Sequence, residues 1–268
     1  MSIAREGLED SQGPHASVPA GSHFFAGSTH AEALARLEHL VENGSHCGIV
    51  TGPRGTGKST VLHVFAQGCR AAGVETVSID VTGLAGQQFL ERLVERLQVT
   101  SRARGRVVRL WTEVVDALAG RALASRDCVL VVDHLDRALG DCQRLVQRLV
   151  ARADTERFET WVLAFSGRQF PMVPREWRER TDLRIELGPL NEAESHAFLQ
   201  SLAEAFGRPA DAFASTAAAL VLAAGGGASD LRRLGELSLL LAADSDARVS
   251  TETLDAVLEE LRGLRYSA

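Results

Sequence analysis

The sequence has few of the features that mark exported, membrane-spanning or metal-binding proteins. Its four cysteines include no CxxC pair, and no run of about 18 apolar residues is free of charge. No basic segment followed by an apolar stretch opens the chain, so we expect neither export nor a membrane span. Scattered cysteines suit a reducing compartment, which predicts a cytoplasmic protein. No histidine is spaced from cysteine or acid as a metal-ligand pair.

An excess of positive charge is missing as well. The formal net charge is -6 over 268 residues, so DNA binding is neither required nor excluded. Two arginine clusters could contact nucleic acid phosphates. The first comprises Arg102, Arg104, Arg106 and Arg109, and the second is the row Arg144, Arg148 and Arg152, spaced four residues apart along one helix face. Solvated loops and helix faces explain both clusters more simply, because no aromatic side chain interleaves with them.

Short apolar runs alternate with longer helical patterns up to Pro189. The runs CGIV, ETVSIDV, CVLVVD, TWVLAFS and LRIEL predict strands, and apolar strands separated by helices are typical of a parallel sheet between two helix layers. After Pro189 only helical signals continue. We therefore predict a disordered tail over 1–22, a three-layer αβα domain over 23–188 and a small all-α lid domain over 189–268.

Capping signals predict several helix ends. Thr29 and Glu32 have capping-box spacing for the first helix, which should end at Asn43 and Gly44. Asn191 and Glu194 have the same spacing at the first helix of the lid. A second lid helix is predicted over 211–224, ended by three glycines at 225–227.

A glycine-rich stretch, GPRGTGKST, follows the first strand. It satisfies GxxxxGK[ST] between a strand and a helix, which is the context that makes this pattern specific for phosphate. Glycines allow backbone N–H groups to wrap around phosphate oxygens, and the helix amino terminus adds partial positive charge. The predicted ATP-binding residues are Gly52, Pro53, Arg54, Gly55, Thr56, Gly57, Lys58, Ser59 and Thr60.

A second motif supports the first. The run VLVVD ends in Asp133, an acid at the carboxyl end of a buried strand, which could hold Mg²⁺ through water. Ser59 would supply a hydroxyl ligand to the same Mg²⁺, and Lys58 would reach the β and γ phosphates. Together the two motifs predict a P-loop NTPase domain that binds ATP and Mg²⁺.

With these motifs the chain resembles the AAA+ ATPases, and within them the ExeA or general secretion pathway protein A type, which is related to the TniB and MuB transposition ATPases. The resemblance extends from Phe24 to Leu261 and includes FFAGSTHAEALARLEHLVENG before the loop and ERTDLRIELGPLNEAES at the passage into the lid. It implies a homo-oligomer that acts on a protein partner, in a DNA-associated or secretion-related process.

The resemblance also implies two groups that sense the γ-phosphate. Ser166, at the end of a later strand, has the position of such a sensor, with Arg168 or Gln169 as nearby substitutes; a serine that only caps its strand is an equal alternative. Arg232 matches the lid arginine better than Arg233. A solvated helix arginine is the alternative there.

An arginine ahead of the last strand is the third implied group. In this family such an arginine acts across a subunit boundary as a finger, and Arg180 aligns best, followed by Arg178 and Arg184. A surface ion pair explains Arg180 at least as well.

His134 departs from the family, which keeps at this position the glutamate that polarises the attacking water. A general base contributes about 10²- to 10⁴-fold in rate. Histidine can itself act as a base, and Asp136 could substitute, although a side chain two residues further on points elsewhere on most backbones. Two hypotheses follow: an AAA+ ATPase that acts on a partner through nucleotide-dependent change, or a nucleotide-gated binding module with negligible turnover. A small-molecule kinase is disfavoured by the lid with Arg232.

Overall fold

The computed structural model describes residues 25, 27–100, 106–153, 158–167, 173–242 and 248–265, with side chains up to residue 260. Several sequence predictions lie outside the described residues: the tail over 1–22, Arg102, Arg104, Arg168 and Gln169.

The chain forms two compact units. The first comprises His30–Pro53 and Lys58–Leu187. The second comprises Arg54–Gly57 and the described part of Gly188–Ala268, together with Phe25 and residues 27–29.

The first unit is built on one parallel sheet. Its strands are β1 (Cys47–Thr51), β2 (Glu75–Asp80), β3 (Cys128–Asp133), β4 (Glu159–Ala164) and β5 (Leu183–Glu186). They are ordered β2-β3-β4-β1-β5, and every neighbouring pair is parallel. The predicted three-layer α/β fold of a P-loop NTPase is confirmed. The carboxyl ends of all five strands therefore meet at one edge of the sheet.

Helices precede, connect and follow these strands. They are α1 (Ser28–Glu42), α2 (Lys58–Ala71), α3 (Gly86–Arg96), α4 (Val107–Leu123), α5 (Gly140–Ala153) and the short α6 (Arg175–Arg178). The predicted end of α1 is confirmed, with Gly44 at φ +63°. Its predicted start is wrong, because Ser28 is already helical. The N–H and hydroxyl of Ser28 both donate to Glu194 Oε1, which fixes the first turn through a tertiary contact.

Burial explains why the runs of the central strands β3 and β4 are mostly apolar. Strand β4 is buried at every residue, and β3 at all but its last. A central strand of a parallel sheet covered by helices on both faces has no solvated side and loses the alternation of polar residues, whereas the edge strands β2 and β5 keep exposed residues. All four cysteines are buried, and none of them forms a disulfide. Burial raises the pKa of the thiols of Cys69, Cys128 and Cys142 to about 12, which keeps them in the unreactive thiol form.

The second unit contains four further helices. These are α7 (Glu192–Ala205), α8 (Ala217–Ala224), α9 (Ala228–Leu241) and α10 (Thr251–Arg265). The capping box of α7 is confirmed, since Asn191 Oδ1 accepts from Glu194 N at 2.8 Å and Glu194 Oε2 accepts from Asn191 N at 3.0 Å. The core of this unit includes Leu199, Leu202 and Phe213.

Helix α8 begins six residues later than the sequence predicts. Turns occupy 211–216 instead. Ala212 O accepts from Val249 N at 2.8 Å, and Ala212 and Phe213 are buried in the core of the unit. That long-range hydrogen bond uses a carbonyl that a helix would have paired locally. Gly225 ends α8 at φ +58°, as predicted.

Candidate nucleotide site

The phosphate loop runs from the end of β1 to the start of α2. Its glycines adopt backbone conformations that side chains rarely allow: φ is +144° at Gly52, +79° at Gly55 and +89° at Gly57. A Cβ atom on Gly52 would lie 2.1 Å from Leu187 O. Gly52 is therefore required both by its φ and by the close approach of the chain after β5.

The side chain of Lys58 folds back over the start of the loop. Its Nζ donates to Gly52 O at 2.9 Å and to Pro53 O at 2.5 Å, and the residue is 4% exposed. Burial lowers the pKa of Lys58, whereas the negative charges of Asp133 and Asp136 oppose that shift. A buried ammonium group thus lies in the field of two carboxylates, one at the end of β3 and one just after it.

The end of β4 is joined to the first residue of the loop. Gly167 N donates to Gly52 O at 3.0 Å, and Gly52 O is also the acceptor for Lys58. The preceding residue, Ser166, is half-buried, and its backbone N–H donates to Asp136 Oδ1 at 2.6 Å. Ser166 consequently lies beside the loop, the location that a γ-phosphate sensor would need.

The residue after Asp133 turns away from this arrangement. His134 adopts a left-handed conformation at φ 57°, and its N–H donates to Asp133 Oδ1 at 2.8 Å. Its Nδ1 lies 3.3 Å from Asp80 Oδ2 and 3.5 Å from Asp133 Oδ2, without the geometry of a hydrogen bond. The imidazole therefore lies between the ends of β2 and β3.

Asp80 has a perturbed pKa in this arrangement. Burial acts to raise the pKa of Asp80, but the hydrogen bonds from Thr82 and the electrostatic interaction with the nearby His134 outweigh it, so the pKa of Asp80 is lower than usual. The Thr82 N–H donates to Asp80 Oδ1 at 2.8 Å. Asp80 thus favours the ionised form.

The residues present fit Mg·ATP. The loop glycines leave room for phosphate oxygens, Lys58 supplies a cation, and α2 begins directly at the loop. Ser59 is exposed, and Asp133 lies at the carboxyl end of β3; hydroxyl and carboxylate oxygens are ligands that Mg²⁺ prefers. Of the remaining loop residues, Pro53 and Arg54 are exposed, Thr60 is half-buried and Thr56 is buried.

The arginines ahead of β5 lie at the opposite edge of the sheet. Arg180 is exposed and follows α6, close to the amino end of β5. Since the loop lies at the carboxyl edge, Arg180 is at the other end of the sheet from the loop of its own chain. Arg184 forms an ion pair with Glu186 at 3.0 Å. Arg178 is exposed at the end of α6.

Arg232 belongs to the second unit, near the start of α9. Within that unit, Ser229 N donates to Gly55 O at 2.9 Å. Arg232 follows Ser229 by three residues, which places both on one face of the helix.

The arginine row on α5 does not form a free basic face. The Arg148 guanidinium stacks over the Trp111 ring at 4.5 Å. Arg152 pairs with Glu159, which is 1% exposed. Two of the three arginines, Arg148 and Arg152, thus make contacts inside the first unit, so the row does not present three arginines to a ligand.

Comparisons with known proteins agree with this fold. Residues 41–173, nearly half of the chain, match the family described as an AAA domain. No curated protein matches the sequence. The described part of the chain contains no helix with both the length and the apolar character to cross a bilayer.

Several solved structures have a similar fold. The Thermotoga maritima RuvB Holliday junction branch migration motor has a TM-score of 0.59 at 17% identity, over 89% of this chain and 70% of that one. The Aeropyrum pernix Orc1 protein in complex with DNA has a TM-score of 0.65 at 19% identity, over 87% and 65%. C. elegans PCH-2 has a TM-score of 0.59 at 12% identity, over 90% and 70%.

At such identities these structures show the fold alone. The fold is that of a P-loop NTPase of the AAA type with a helical carboxyl-terminal region. The match of residues 41–173 to the AAA domain family agrees with this fold.

Proposed function

We propose that the chain binds Mg·ATP at the phosphate loop, hydrolyses it, and uses the resulting change in conformation or oligomeric state to act on a protein partner. The observation that carries this proposal is the buried Lys58 ammonium, held at the start of a loop of positive-φ glycines and in the field of Asp133. Such an arrangement is suited to the β and γ phosphates of a nucleotide.

Each part of the site has a proposed role. Ser59 and Asp133 hold Mg²⁺, which when bound neutralises charge on the phosphate oxygens. Ser166 and Arg232 sense the γ-phosphate. Arg180 acts on the site of a neighbouring copy, and its position at the amino edge of the sheet supports a role outside its own site. We further propose that 23–188 act as the nucleotide-binding domain and 189–268 as the lid.

The proposal is tested first by Lys58→Ala. Two charge-assisted hydrogen bonds to phosphate, at about 1.5–3 kcal/mol each, are lost, so ATP affinity should fall by about 100-fold or more. The rise in Tm that Mg·ATP gives the unaltered chain should disappear. A variant that keeps the full rise contradicts the phosphate-loop assignment.

A chemical control is available because Lys58 is the only lysine in the sequence. An amine-reactive reagent can modify only Lys58 and the terminal amine. Mg·ATP should protect Lys58 and leave the terminal amine reactive. Full modification of Lys58 at saturating nucleotide, equal to that without nucleotide, would show that ATP binds elsewhere.

A second candidate function is a nucleotide-gated binding module with little or no hydrolysis. The observation that favours it is His134, which replaces an expected carboxylate and whose ring lies against Asp80. This candidate predicts an ATP-dependent rise in Tm, or a change in mass, without release of phosphate. Measuring mass and phosphate release on the same samples separates the two functions.

The partner is proposed to be a protein, with the chain working as a homo-oligomer. RuvB is named as a branch migration motor and Orc1 was solved with DNA, which makes a DNA-associated process one setting for this chain. The contacts of Arg148 and Arg152 within the first unit favour a protein partner over direct DNA binding by α5. We further propose that the protein is cytoplasmic.

A further inference from the structure

The side chains of His134 and Asp136 extend in opposite directions from the end of β3. In the sheet, β3 lies between β2 and β4. The His134 ring lies against Asp80 at the end of β2, with 3.3 Å between Nδ1 and Oδ2. Asp136 reaches the end of β4, where its Oδ1 accepts from Ser166 N at 2.6 Å. The histidine and the aspartate therefore occupy opposite sides of the Mg²⁺ candidate Asp133.

Only the β4 side leads to the phosphate loop, because β4 pairs with β1 and the loop follows β1. Gly167, the residue after Ser166, donates its N–H to Gly52 O, and Gly52 O also accepts from Lys58 Nζ. Hydrogen bonds from the consecutive residues Ser166 and Gly167 thus connect Asp136 and the start of the loop to the same short segment after β4. The Asp136 charge also favours the protonated ammonium of Lys58.

The turn after β3 explains how a residue three positions past Asp133 arrives there. His134 takes the left-handed conformation, and 135–137 form one turn of 3₁₀ helix closed by Arg137 N donating to His134 O at 2.8 Å. Leu135 is completely buried and anchors the turn in the core. This turn reverses the chain, so that Asp136 faces the site.

We propose that Asp136, rather than His134, is the catalytic carboxylate that takes a proton from the attacking water. This inference rests on the proposed ATPase function and deepens it. The Ser166 N–H holds Oδ1 and sets the orientation of the carboxylate, which leaves Oδ2 to contact the water. His134 is then a neighbour of Asp133 and Asp80 and not the base.

The reaction balances as an ordinary hydrolysis. The water oxygen forms a bond to the γ-phosphorus, and the bond from that phosphorus to the β,γ-bridging oxygen breaks with its electron pair staying on ADP. One proton of the water moves to Asp136 Oδ2, and the other stays on the released phosphate. Asp136 then returns its proton to solvent.

The test is Asp136→Asn in the full chain, assayed for phosphate release and for the ATP-induced rise in Tm. The amide oxygen of asparagine can still accept from Ser166 N–H, so the turn is kept while the base is lost. We expect kcat to fall by about 100-fold or more, the lower end of a general-base contribution, with KM and the Tm rise retained.

Asp141→Asn is the matched control. Asp141 follows the same turn and also accepts a long-range backbone hydrogen bond, from Gly86 N at 2.9 Å, but it lies on α5 outside the proposed site. Its kcat should stay within about threefold of the unaltered chain, as expected for a group without a catalytic role.

Three results would overturn the assignment. If Asp136→Asn keeps its turnover while Asp136→Ala loses it, Asp136 is only a structural link to Ser166. If the unaltered chain binds ATP but releases no phosphate, Asp136 is not a base, and nucleotide binding still holds. If the unaltered chain gives no ATP-induced rise in Tm, the proposed function fails together with this inference.

Discussion

The two edges of the sheet in the first unit differ in how a buried charge is held. At the carboxyl edge, the buried Lys58 ammonium donates to two backbone carbonyls of the loop. At the amino edge, where β4 begins, the buried carboxylate of Glu159 is paired with the Arg152 guanidinium. The buried charge at the amino edge thus has an opposite charge in contact, whereas the ammonium at the carboxyl edge is held by carbonyl groups.

The difference indicates which edge is suited to bind a ligand. A buried charge that is already paired gains little from another ion, whereas an ammonium held by carbonyls can gain charge-assisted hydrogen bonds to phosphate. Strained backbone does not separate the two edges, because His134 after β3 and Ser125 ahead of β3 are both left-handed, at about 1–3 kcal/mol each. Arg180, exposed at the amino edge, is proposed to act on a neighbouring copy.

If the chain works as an oligomer, the largest loss of turnover is expected from a substitution at the amino edge of the sheet. Arg180→Ala should lower turnover by about 10³-fold or more, as loss of an arginine finger does, with ATP affinity unchanged. Arg175→Ala, which breaks an exposed ion pair with Glu179 just after the helix, is the control and should keep normal turnover.

Mixing variants tests the same point between copies. Subunits with Arg180→Ala keep their loops, and subunits with Lys58→Ala keep their arginine, so a mixed oligomer contains some complete sites. Phosphate release should partly return on mixing. If Arg180→Ala alone has normal turnover at every protein concentration, Arg180 does not act on the site of a neighbouring copy.

A smaller effect should distinguish a strained glycine at the site from an ordinary one. Gly52→Ala adds about 1–3 kcal/mol of backbone strain and about 1–3 kcal/mol of overpacking against Leu187 O. Gly73→Ala, at φ +82° with no atom within 4 Å of the added Cβ, carries only the strain. Urea unfolding of both variants should give the larger loss of unfolding free energy for Gly52→Ala. Equal losses would show that the close approach of Leu187 O to position 52 does not destabilise the variant.

The smallest effect is expected at His134, despite its place beside Asp133. Because the ring lies against Asp80, His134→Ala should lower kcat by less than about tenfold, below the general-base range. His134→Glu would add a third carboxylate beside Asp80 and Asp133, so it should not raise turnover. A rise in kcat of about tenfold or more in His134→Glu would indicate that a carboxylate at position 134 can act as the general base.

Much of the fold was predictable because it depends on local patterns. Apolar strands between helices predicted the parallel sheet, and glycine spacing before Lys58 predicted the loop with positive φ. The capping box at Asn191 was equally local. The predicted start of α8 was wrong because Ala212 O accepts a hydrogen bond from Val249 N, 37 residues away. Local helix propensity carries no information about so distant a partner.

The sequence by itself determined the strand segments, the loop and the place of Asp133 at a strand end, since each follows from a pattern within a few residues. Tertiary structure alone decided which side of Asp133 each following side chain occupies. The direction of Asp136 depends on the backbone N–H of Ser166, 30 residues later in the chain, and that of His134 on a left-handed turn beside Asp80. Pairing between strands distant in sequence sets both, because a hydrogen-bond partner on a neighbouring strand is fixed only when the sheet has formed.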